Sequence, residues 1–121
     1  MKIFKIKAFH RWAKRERVTD KMLKNAVIEI TTGLVDADLG AGLLKKRIAR
    51  PGKGKRSGYR TFVGYRKDER VVFFFGFPKS EMDDIEDTVL AKLKRASEYY
   101  LSLSKEKIES LLKMGDLIEV K

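Results

Sequence analysis

The chain lacks several features that assign small proteins to common functional classes. It has no cysteine and a single histidine among 121 residues, which excludes a disulfide framework, a thiolate metal site and a mechanism that needs two imidazoles. No apolar run approaches the roughly 20 residues that span a bilayer, and the charged N-terminus has no signal-peptide core. We therefore expect a small, soluble, cytoplasmic protein with no membrane-spanning segment.

The size and composition favour one folded unit. The mass is 14.0 kDa and 43% of the residues are hydrophobic, which is enough apolar material for a packed core. The sequence shows no internal repeat, no low-complexity tract and no linker. We therefore expect a single domain over residues 1–121.

Acidic residues are few relative to basic ones. The chain has 28 Lys and Arg against 17 Asp and Glu, which gives a net charge of +11. Residues 45–70 supply most of this excess, with eleven bases and two acids. A charge of this size predicts a polyanionic partner: nucleic acid, an anionic membrane surface or an acidic protein. Glycines among the bases favour a polyanion-binding site over a solvated charged face.

Hydrophobic periodicity and capping residues predict an α+β fold. Helices are predicted over residues 8–16, from a cap at Thr19 to a terminal Gly33, from a cap at Ser80 onward, and over residues 105–114. Strands are predicted over residues 2–7, 43–50, 59–66, 70–77 and 117–120, with residues 36–42 as a loop. The β-α-α-β-β-β-α-α-(β) order predicts a small, mostly antiparallel sheet packed by helices, with residues 43–77 as a meander.

The basic strands can present their charges together. Alternation along residues 59–66 places Arg60, Phe62 and Arg66 on one side of the strand. In the strand over residues 43–50, Lys46 shares a side with Arg50, and Lys45 shares the other with Arg47. Neighbouring strands lie about 4.8 Å apart, so such bases can converge on one phosphate. The loop over residues 53–56 can close over it, and arginine suits the site because its planar fork binds two oxygens.

Other patterns favour structural roles. Residues 52–55 lack the spacing of a phosphate-binding P-loop. The acids of residues 81–87 fall in the first turns of a predicted helix, where the dipole favours negative charge. His10 is interpreted as a surface residue of a basic helix. Residues 73–75 predict a central strand that is apolar on both faces, with base stacking by one of these phenylalanines as the alternative to core packing. Phe77, at the end of the strand, is less secure as core.

An ordered set of short motifs resembles a known superfamily. Ser57-Gly58-Tyr59-Arg60 is followed by an aliphatic strand, a turn, a strand over residues 71–77 and Lys79-Ser80-Glu81. This pattern resembles the RelE/ParE toxin superfamily. The stretches over residues 33–50 and 103–120 are similar to one branch of it, the compact RelE-like toxins of bacteria and phages. The resemblance covers almost the whole chain, and the family's fold agrees with the predicted order of elements.

The resemblance implies the toxin of a type II toxin–antitoxin pair that cleaves mRNA, often on the ribosome, and is silenced by an antitoxin encoded in an adjacent gene. It implies 2′-hydroxyl attack with no metal and no cofactor. By position, Lys53 or Lys55 would act near the attacking hydroxyl, Arg60 would stabilise transition-state charge, and Lys79 would lie near the leaving oxygen. The residues expected to contact RNA are Lys45, Lys46, Arg47, Arg50, Arg56, Arg66 and Phe77.

Two alternatives remain beside the endoribonuclease. One is a toxin of the same fold with a non-RNA target such as gyrase, and the other is a non-catalytic nucleic-acid-binding module. Several active members of the superfamily carry a tyrosine or histidine where this chain has Ile85, so the resemblance identifies no general acid or base. A neighbouring reading frame with an antitoxin pattern would favour either toxin over the binding module.

Overall fold

The computed structural model describes residues 1–52 and 54–121, with only the backbone described for residues 54–56. The strands in this range are β1 (Lys2–Ile6), β2 (Ala37–Asp38), β3 (Leu43–Arg50), β4 (Gly54–Arg66), β5 (Arg70–Pro78) and β6 (Leu117–Glu119). The helices are α1 (Lys7–Glu16), α2 (Asp20–Thr31), α3 (Asp87–Ser102) and α4 (Lys105–Met114). The predicted α+β class is confirmed.

The six strands form one open sheet in the order β2-β3-β4-β5-β1-β6. β3, β4 and β5 are successive antiparallel neighbours, so the predicted meander is confirmed. β1 pairs parallel with β5. Parallel strands need a long crossover connection, which here consists of α1, α2 and the first strands of the meander. The short β2 lies within the predicted loop over residues 36–42.

Helices cover both faces of the sheet. On the face that we call the α1–α2 face, Phe9 and Leu23 pack against Val63 and Phe73 in one buried cluster. On the opposite face, the α3–α4 face, a second cluster contains Phe4, Phe62, Phe74 and Ile108. Apart from one irregularity in β5, residues of the meander alternate between the two clusters, which fixes the side of the sheet on which the basic residues of β3 and β4 lie. Among the described residues, no helix is long and apolar enough to cross a membrane.

Local signals set most helix ends correctly. The Met22 N–H donates to the Thr19 hydroxyl at 3.2 Å, which confirms the predicted cap of α2. Gly33 follows that helix with a φ of +88°, as expected for a glycine just after a helix end. Ser104 caps α4, and Gly115 ends it.

The start of α3 was predicted wrongly. The helix begins at Asp87 rather than after Ser80, with Glu86 as its N-cap. The preceding residues are held by the sheet instead: the Lys79 N–H donates to the Gly58 carbonyl at 3.0 Å, and Ile85 packs on the α3–α4 cluster. The Asp84 carboxylate accepts the Ile85 N–H at 2.9 Å. These tertiary contacts outweigh the capping pattern, and the acids of residues 81–86 therefore precede the helix.

The phenylalanine run of β5 is apolar on both sides, as predicted. Phe62 pairs with Phe75 while Val63 pairs with Phe73, so β5 has one extra residue at this point. Phe73 packs on the α1–α2 face, whereas Phe74 and Phe75 pack on the other.

Candidate nucleic-acid interface

Three bases share the α3–α4 face near one end of the meander. Arg47 on β3 lies directly opposite Arg60 on β4, and Lys45 lies opposite Phe62, which is on the same face as Arg60. Directly opposed residues have Cβ atoms about 5 Å apart, and like charges in that position destabilise a sheet. The strand register thus brings three positively charged side chains close together, an arrangement that does not itself stabilise the sheet. We call these three bases, together with Lys79, which directly follows β5, the strand basic surface.

Arg60 lies next to a group of three phenylalanine rings on the same face of the sheet. Its cross-strand neighbour on β5 is Phe77, and the rings of Phe62, Phe75 and Phe77 lie 6.1 to 6.3 Å apart. Arg60 is only 7% exposed. A guanidinium partly removed from water interacts more strongly with a phosphate than an exposed one does. Arg47 is more open, with 43% of its side chain exposed, and its Nε lies 2.9 Å from Asp36 Oδ2.

Two acids reach the strand basic surface from the segment over residues 79–86. Lys45 Nζ lies 3.2 Å from Asp84 Oδ2, and Lys79 Nζ lies 3.2 Å from Asp83 Oδ1. The Ile85 N–H bond lowers the pKa of Asp84; burial opposes this effect, and Lys45 adds to it. A carboxylate therefore sits at each of these two lysines, in the place that a phosphate oxygen would take.

Lys46 does not belong to this surface, contrary to the expectation that it contacts RNA. It points to the α1–α2 face, is 1% exposed, and its Nζ lies 2.7 Å from Glu29 Oε1. A fully buried lysine paired in this way cannot reach a phosphate without unfolding the packing around α2. Lys46 is instead paired with Glu29, a partly exposed residue of α2.

Arg50 also lies away from Arg60. Its guanidinium is 5.3 Å from the centre of the Tyr59 ring, and Tyr59 belongs to the α1–α2 cluster. The Tyr59 hydroxyl donates to the Glu16 carbonyl at 2.9 Å, so Arg50 lies near the end of α1.

Arg66 and Phe77 are placed differently from what the sequence indicated. Arg66 shares a face with Arg60, as predicted, but it lies six positions further along the strand, which corresponds to about 20 Å. Its guanidinium pairs with Glu69 and donates to the Leu101 carbonyl at 3.1 Å. Phe77 is 4% exposed and packs against Phe62 and Phe75, so it is a core residue.

The loop candidates fall where the structure gives no side chains. Lys53 lies outside the described residues, as do the side chains of Lys55 and Arg56. Gly58, which follows these residues in β4, is described. A Cβ on Gly58 would lie 2.1 Å from the Ile48 carbonyl oxygen. Glycine at this position therefore allows β3 and β4 to approach at the irregularity between Ile48 and Arg50.

Sequence reasoning missed the acids that line this surface. Asp36 was placed in a loop, and Asp83 and Asp84 were assigned to the start of a helix. The available signal was compositional: five acids in residues 81–87 directly follow the most basic part of the chain. The half-buried Phe75 was assigned to core packing, with base stacking by one phenylalanine of residues 73–75 as the alternative.

Comparison with known proteins decides the family. A family model described as the RelE toxin of the RelE/RelB toxin–antitoxin system matches residues 1–120. The chain belongs to the RelE toxin family. No curated protein matches it. As a RelE-family toxin it has an antitoxin as its partner, and its fold carries a basic face at one end of the central meander.

Proposed function

We propose that this RelE-family toxin is a cytoplasmic, metal-independent endoribonuclease that cleaves mRNA, with the ribosome as a setting for the reaction. The observation that carries the proposal is the directly opposed pair of Arg47 and Arg60 on one face of the sheet. Two guanidiniums so arranged can converge on one phosphodiester, because each phosphate oxygen accepts charge-assisted hydrogen bonds.

The reaction needs an internal nucleophile and a stabilised transition state. The ribose 2′-oxygen attacks the adjacent 3′-phosphorus while its proton leaves, and the bond from phosphorus to the 5′-oxygen breaks. The products are a 2′,3′-cyclic phosphate and a 5′-hydroxyl end, and the departing oxygen takes up one proton. Negative charge accumulates on the phosphorane oxygens, so a fixed cation beside them accelerates the step.

The roles follow from position on the strand basic surface. Arg60, the least exposed of its arginines, faces the phosphorane. Arg47 and Lys45, one strand away, hold neighbouring phosphates. Lys79 follows β5 beside the Gly58 carbonyl and lies toward the leaving oxygen. Lys53 or Lys55 supplies the cation near the 2′-hydroxyl, with Arg56 on the backbone. The chain's one histidine is on α1, on the other side of the sheet, so charge stabilisation carries the greater part of catalysis.

RNA must displace two carboxylates to reach the lysines. Asp83 and Asp84 are 90% and 63% exposed in their side chains, and exposed ion pairs contribute up to about 1 kcal/mol. A phosphodiester that contacts several cations at once outcompetes such pairs. The acids hold Lys45 and Lys79 in place in the free protein without blocking the substrate.

The antitoxin is proposed to cover the same surface. Masking the bases that bind phosphate is the direct way to stop the reaction, and the partner segment is therefore acidic or amphipathic. Electrostatic attraction of this kind gives fast association that slows as salt is added. Stopped-flow mixing with the product of the adjacent gene should show a lower association rate for the Arg47→Ala variant than for the wild type.

Analysis of the RNA ends tests the proposed chemistry. Purified toxin is incubated with a short single-stranded RNA in excess EDTA, beside the same oligonucleotide carrying 2′-deoxyribose at the cleaved position. We expect cyclic-phosphate and 5′-hydroxyl ends from the first and no cleavage of the second. Cleavage of the deoxy-substituted strand, or products with 5′-phosphate ends, would contradict 2′-hydroxyl attack. Binding without cleavage, on ribosomes as well as on free RNA, would favour a non-catalytic module.

A further inference from the structure

A second basic surface lies on α1, away from the strand basic surface. Lys7, Arg11, Lys14 and Arg15 are all exposed. With 3.6 residues per turn their side chains fall within an arc of about 100°. The opposite side of the helix carries Phe9, Trp12 and Ala13, which pack on the α1–α2 face of the sheet. We call these four bases the α1 basic surface.

These charges are not neutralised within the described parts of the protein, where none of the four forms an ion pair. Residues 1–33 contain three acids, and two of them are engaged with buried lysines: Asp20 with Lys5 at 2.9 Å and Glu29 with Lys46 at 2.7 Å. The third, Glu16, is the sole acid of α1 and is half buried.

Folding does not require this row of bases. Like charges four residues apart destabilise a helix, and a lysine in the first turn opposes its dipole. The apolar side of α1 holds the helix on the sheet instead. The ring centres of Phe9 and Phe73 lie 5.3 Å apart, and those of Trp12 and Tyr59 lie 5.5 Å apart. Lys14 and Arg15 lie in the last turn, where the dipole favours positive charge, but the packing of α1 requires none of the four bases. A ligand that the row binds would explain why it is present.

We propose that the α1 basic surface binds the sugar-phosphate backbone of double-helical RNA, separately from the strand basic surface. Single-stranded nucleic acid is usually bound by stacking on exposed aromatic rings, and this surface has none. From Lys7 to Arg15 the helix rises about 12 Å. A rigid row of charges on this scale matches a rigid row of phosphates.

The same composition disfavours two other anionic ligands. Helices that bind membranes bury an apolar side in the lipid, whereas the apolar side of α1 is already packed on the sheet. Protein interfaces are enriched in aromatic residues, methionine and arginine and are depleted of lysine. The α1 row has two arginines but also two lysines, beside Ala8 and with no exposed aromatic residue. The remaining ligand for this surface is a nucleic-acid backbone, whose phosphates the four bases contact regardless of sequence.

The location of the surface makes it a second contact rather than part of the first. α1 packs on one face of the sheet, while Arg47 and Arg60 lie on the other. A short single strand held at Arg60 therefore does not reach α1. Arg50, stacked on Tyr59 near the end of α1, is a further base on the α1–α2 face. Two basic faces let the toxin hold a structured RNA while a single-stranded region lies at Arg60.

Charge-matched variants test the proposal. One variant carries Lys7→Gln, Arg11→Gln, Lys14→Gln and Arg15→Gln; the control carries Lys92→Gln, Arg95→Gln, Lys107→Gln and Lys113→Gln, which are exposed bases of α3 and α4. The probe is a 5′-labelled RNA duplex of about 20 base pairs, titrated by anisotropy over a series of salt concentrations. Four lost contacts reduce the log–log salt slope by about 3.6, from roughly 0.9 per phosphate of a duplex. We expect affinity for the duplex to fall at least 10-fold in the α1 variant and less than 3-fold in the control.

The outcomes separate this proposal from the proposed endoribonuclease. Equal losses in both variants would show a simple effect of net charge and would overturn the proposal, as would unchanged duplex binding. An α1 variant that keeps duplex binding but loses binding to phosphatidylserine vesicles would reassign the surface to membranes. Cleavage of a short single-stranded RNA reports on Arg60 and should be unchanged in the α1 variant. Failure of cleavage by the wild type on ribosomes as well as on free RNA would contradict the endoribonuclease and leave the duplex result intact.

Discussion

Arg60 combines a position on the sheet that favours catalysis with little contact to water. It lies between Arg47 on one neighbouring strand and Phe77 on the other, and it is 7% exposed. A cation fixed in this way contributes more to the transition state than to ground-state binding, because the phosphorane carries the extra charge.

Replacement of Arg60 should therefore reduce rate more than affinity. We expect Arg60→Ala to lower the cleavage rate by about 10²–10³ and RNA affinity by about 1 kcal/mol. Arg60→Lys should recover little of the loss, because an ammonium lacks the planar fork. The measurements are single-turnover cleavage, growth after induction, and a thermal melt by circular dichroism. Arg70→Ala, which removes a half-buried guanidinium at the other end of the meander, is the matched control. Full toxicity from a folded Arg60→Ala protein would remove Arg60 from the mechanism.

His10 should make the stability of the fold depend on pH. Burial lowers its pKa below the ordinary 6.5, and Lys5 and Lys14 lower it further, against a smaller opposing effect of Asp20. The folded state therefore disfavours the protonated ring, so stability is complete above pH 6.5 and falls as acid protonates the unfolded chain. The Tm of wild type should decrease between about pH 7.5 and 5 more steeply than that of His10→Gln; Asp20, with a lowered carboxyl pKa, titrates below this window. Parallel Tm profiles would contradict this assignment.

The candidate site shows what residue alternation can and cannot predict. Alternation placed Arg60 with Phe62 and Arg66, and Lys45 with Arg47, on common faces, and the register confirms these placements. It did not predict that Lys46 is buried, because the deciding partner, Glu29, comes from a helix distant in sequence. It also did not place Asp83 and Asp84 beside the lysines, since those contacts depend on how residues 79–86 cross the end of the sheet.

At the scale of elements, the sequence predicted correctly those helix ends that depend on hydrogen bonds between residues close in the chain. The caps of α2 and α4 depend on hydrogen bonds within four residues, and both were predicted correctly. The start of α3 depends on the Lys79 bond to Gly58 and on burial of Ile85, neither of which appears in a local pattern. The predicted strand over residues 59–66 lacked the first five residues of β4, because a glycine-rich basic stretch has no strand pattern.

Gly58 joins the fold of the hairpin to the position of Arg60. A Cβ there would lie 2.1 Å from the Ile48 carbonyl oxygen and 3.1 Å from the Arg50 nitrogen, both of them backbone atoms. Gly58→Ala should therefore push β3 and β4 apart, at a cost of about 1–3 kcal/mol, and displace Arg60 two residues later. We expect a lower Tm together with reduced cleavage.

Gly33→Ala provides the comparison for Gly58→Ala. Its φ of +88° strains an alanine, but no atom lies within 4 Å of the added carbon, so stability should fall by about 1 kcal/mol with cleavage unchanged. A Gly58→Ala protein with wild-type Tm and cleavage would show that the strand separation is not constrained.

At the scale of the whole molecule, binding of single-stranded RNA should be strongly salt-dependent. The four residues of the strand basic surface give a log–log slope near −2.8, from roughly −0.7 per phosphate of a single strand. Filter binding of a 2′-deoxy-protected oligonucleotide between about 50 and 300 mM salt measures this slope. A slope shallower than about −1 would contradict the strand basic surface as an RNA site.

The proposed function also accounts for how one small domain can act on RNA and be controlled. The two basic surfaces lie on faces separated by the sheet, and the family assigns an antitoxin to the chain. In this proposal, substrate and antitoxin compete at the strand basic surface, whereas α1 remains available for a second contact.

The central claim is that RNA is cut at the strand basic surface, and mapping of transcript 5′ ends tests it most directly. The toxin is induced in bacteria as wild type, as Arg60→Ala and together with the adjacent gene, and 5′-hydroxyl ends are sequenced within minutes. We predict new 5′-hydroxyl ends inside coding regions with wild type alone, and their absence with Arg60→Ala and with the co-expressed antitoxin. Growth arrest by the wild type without new 5′-hydroxyl ends, or identical ends from a folded Arg60→Ala protein, would contradict the account.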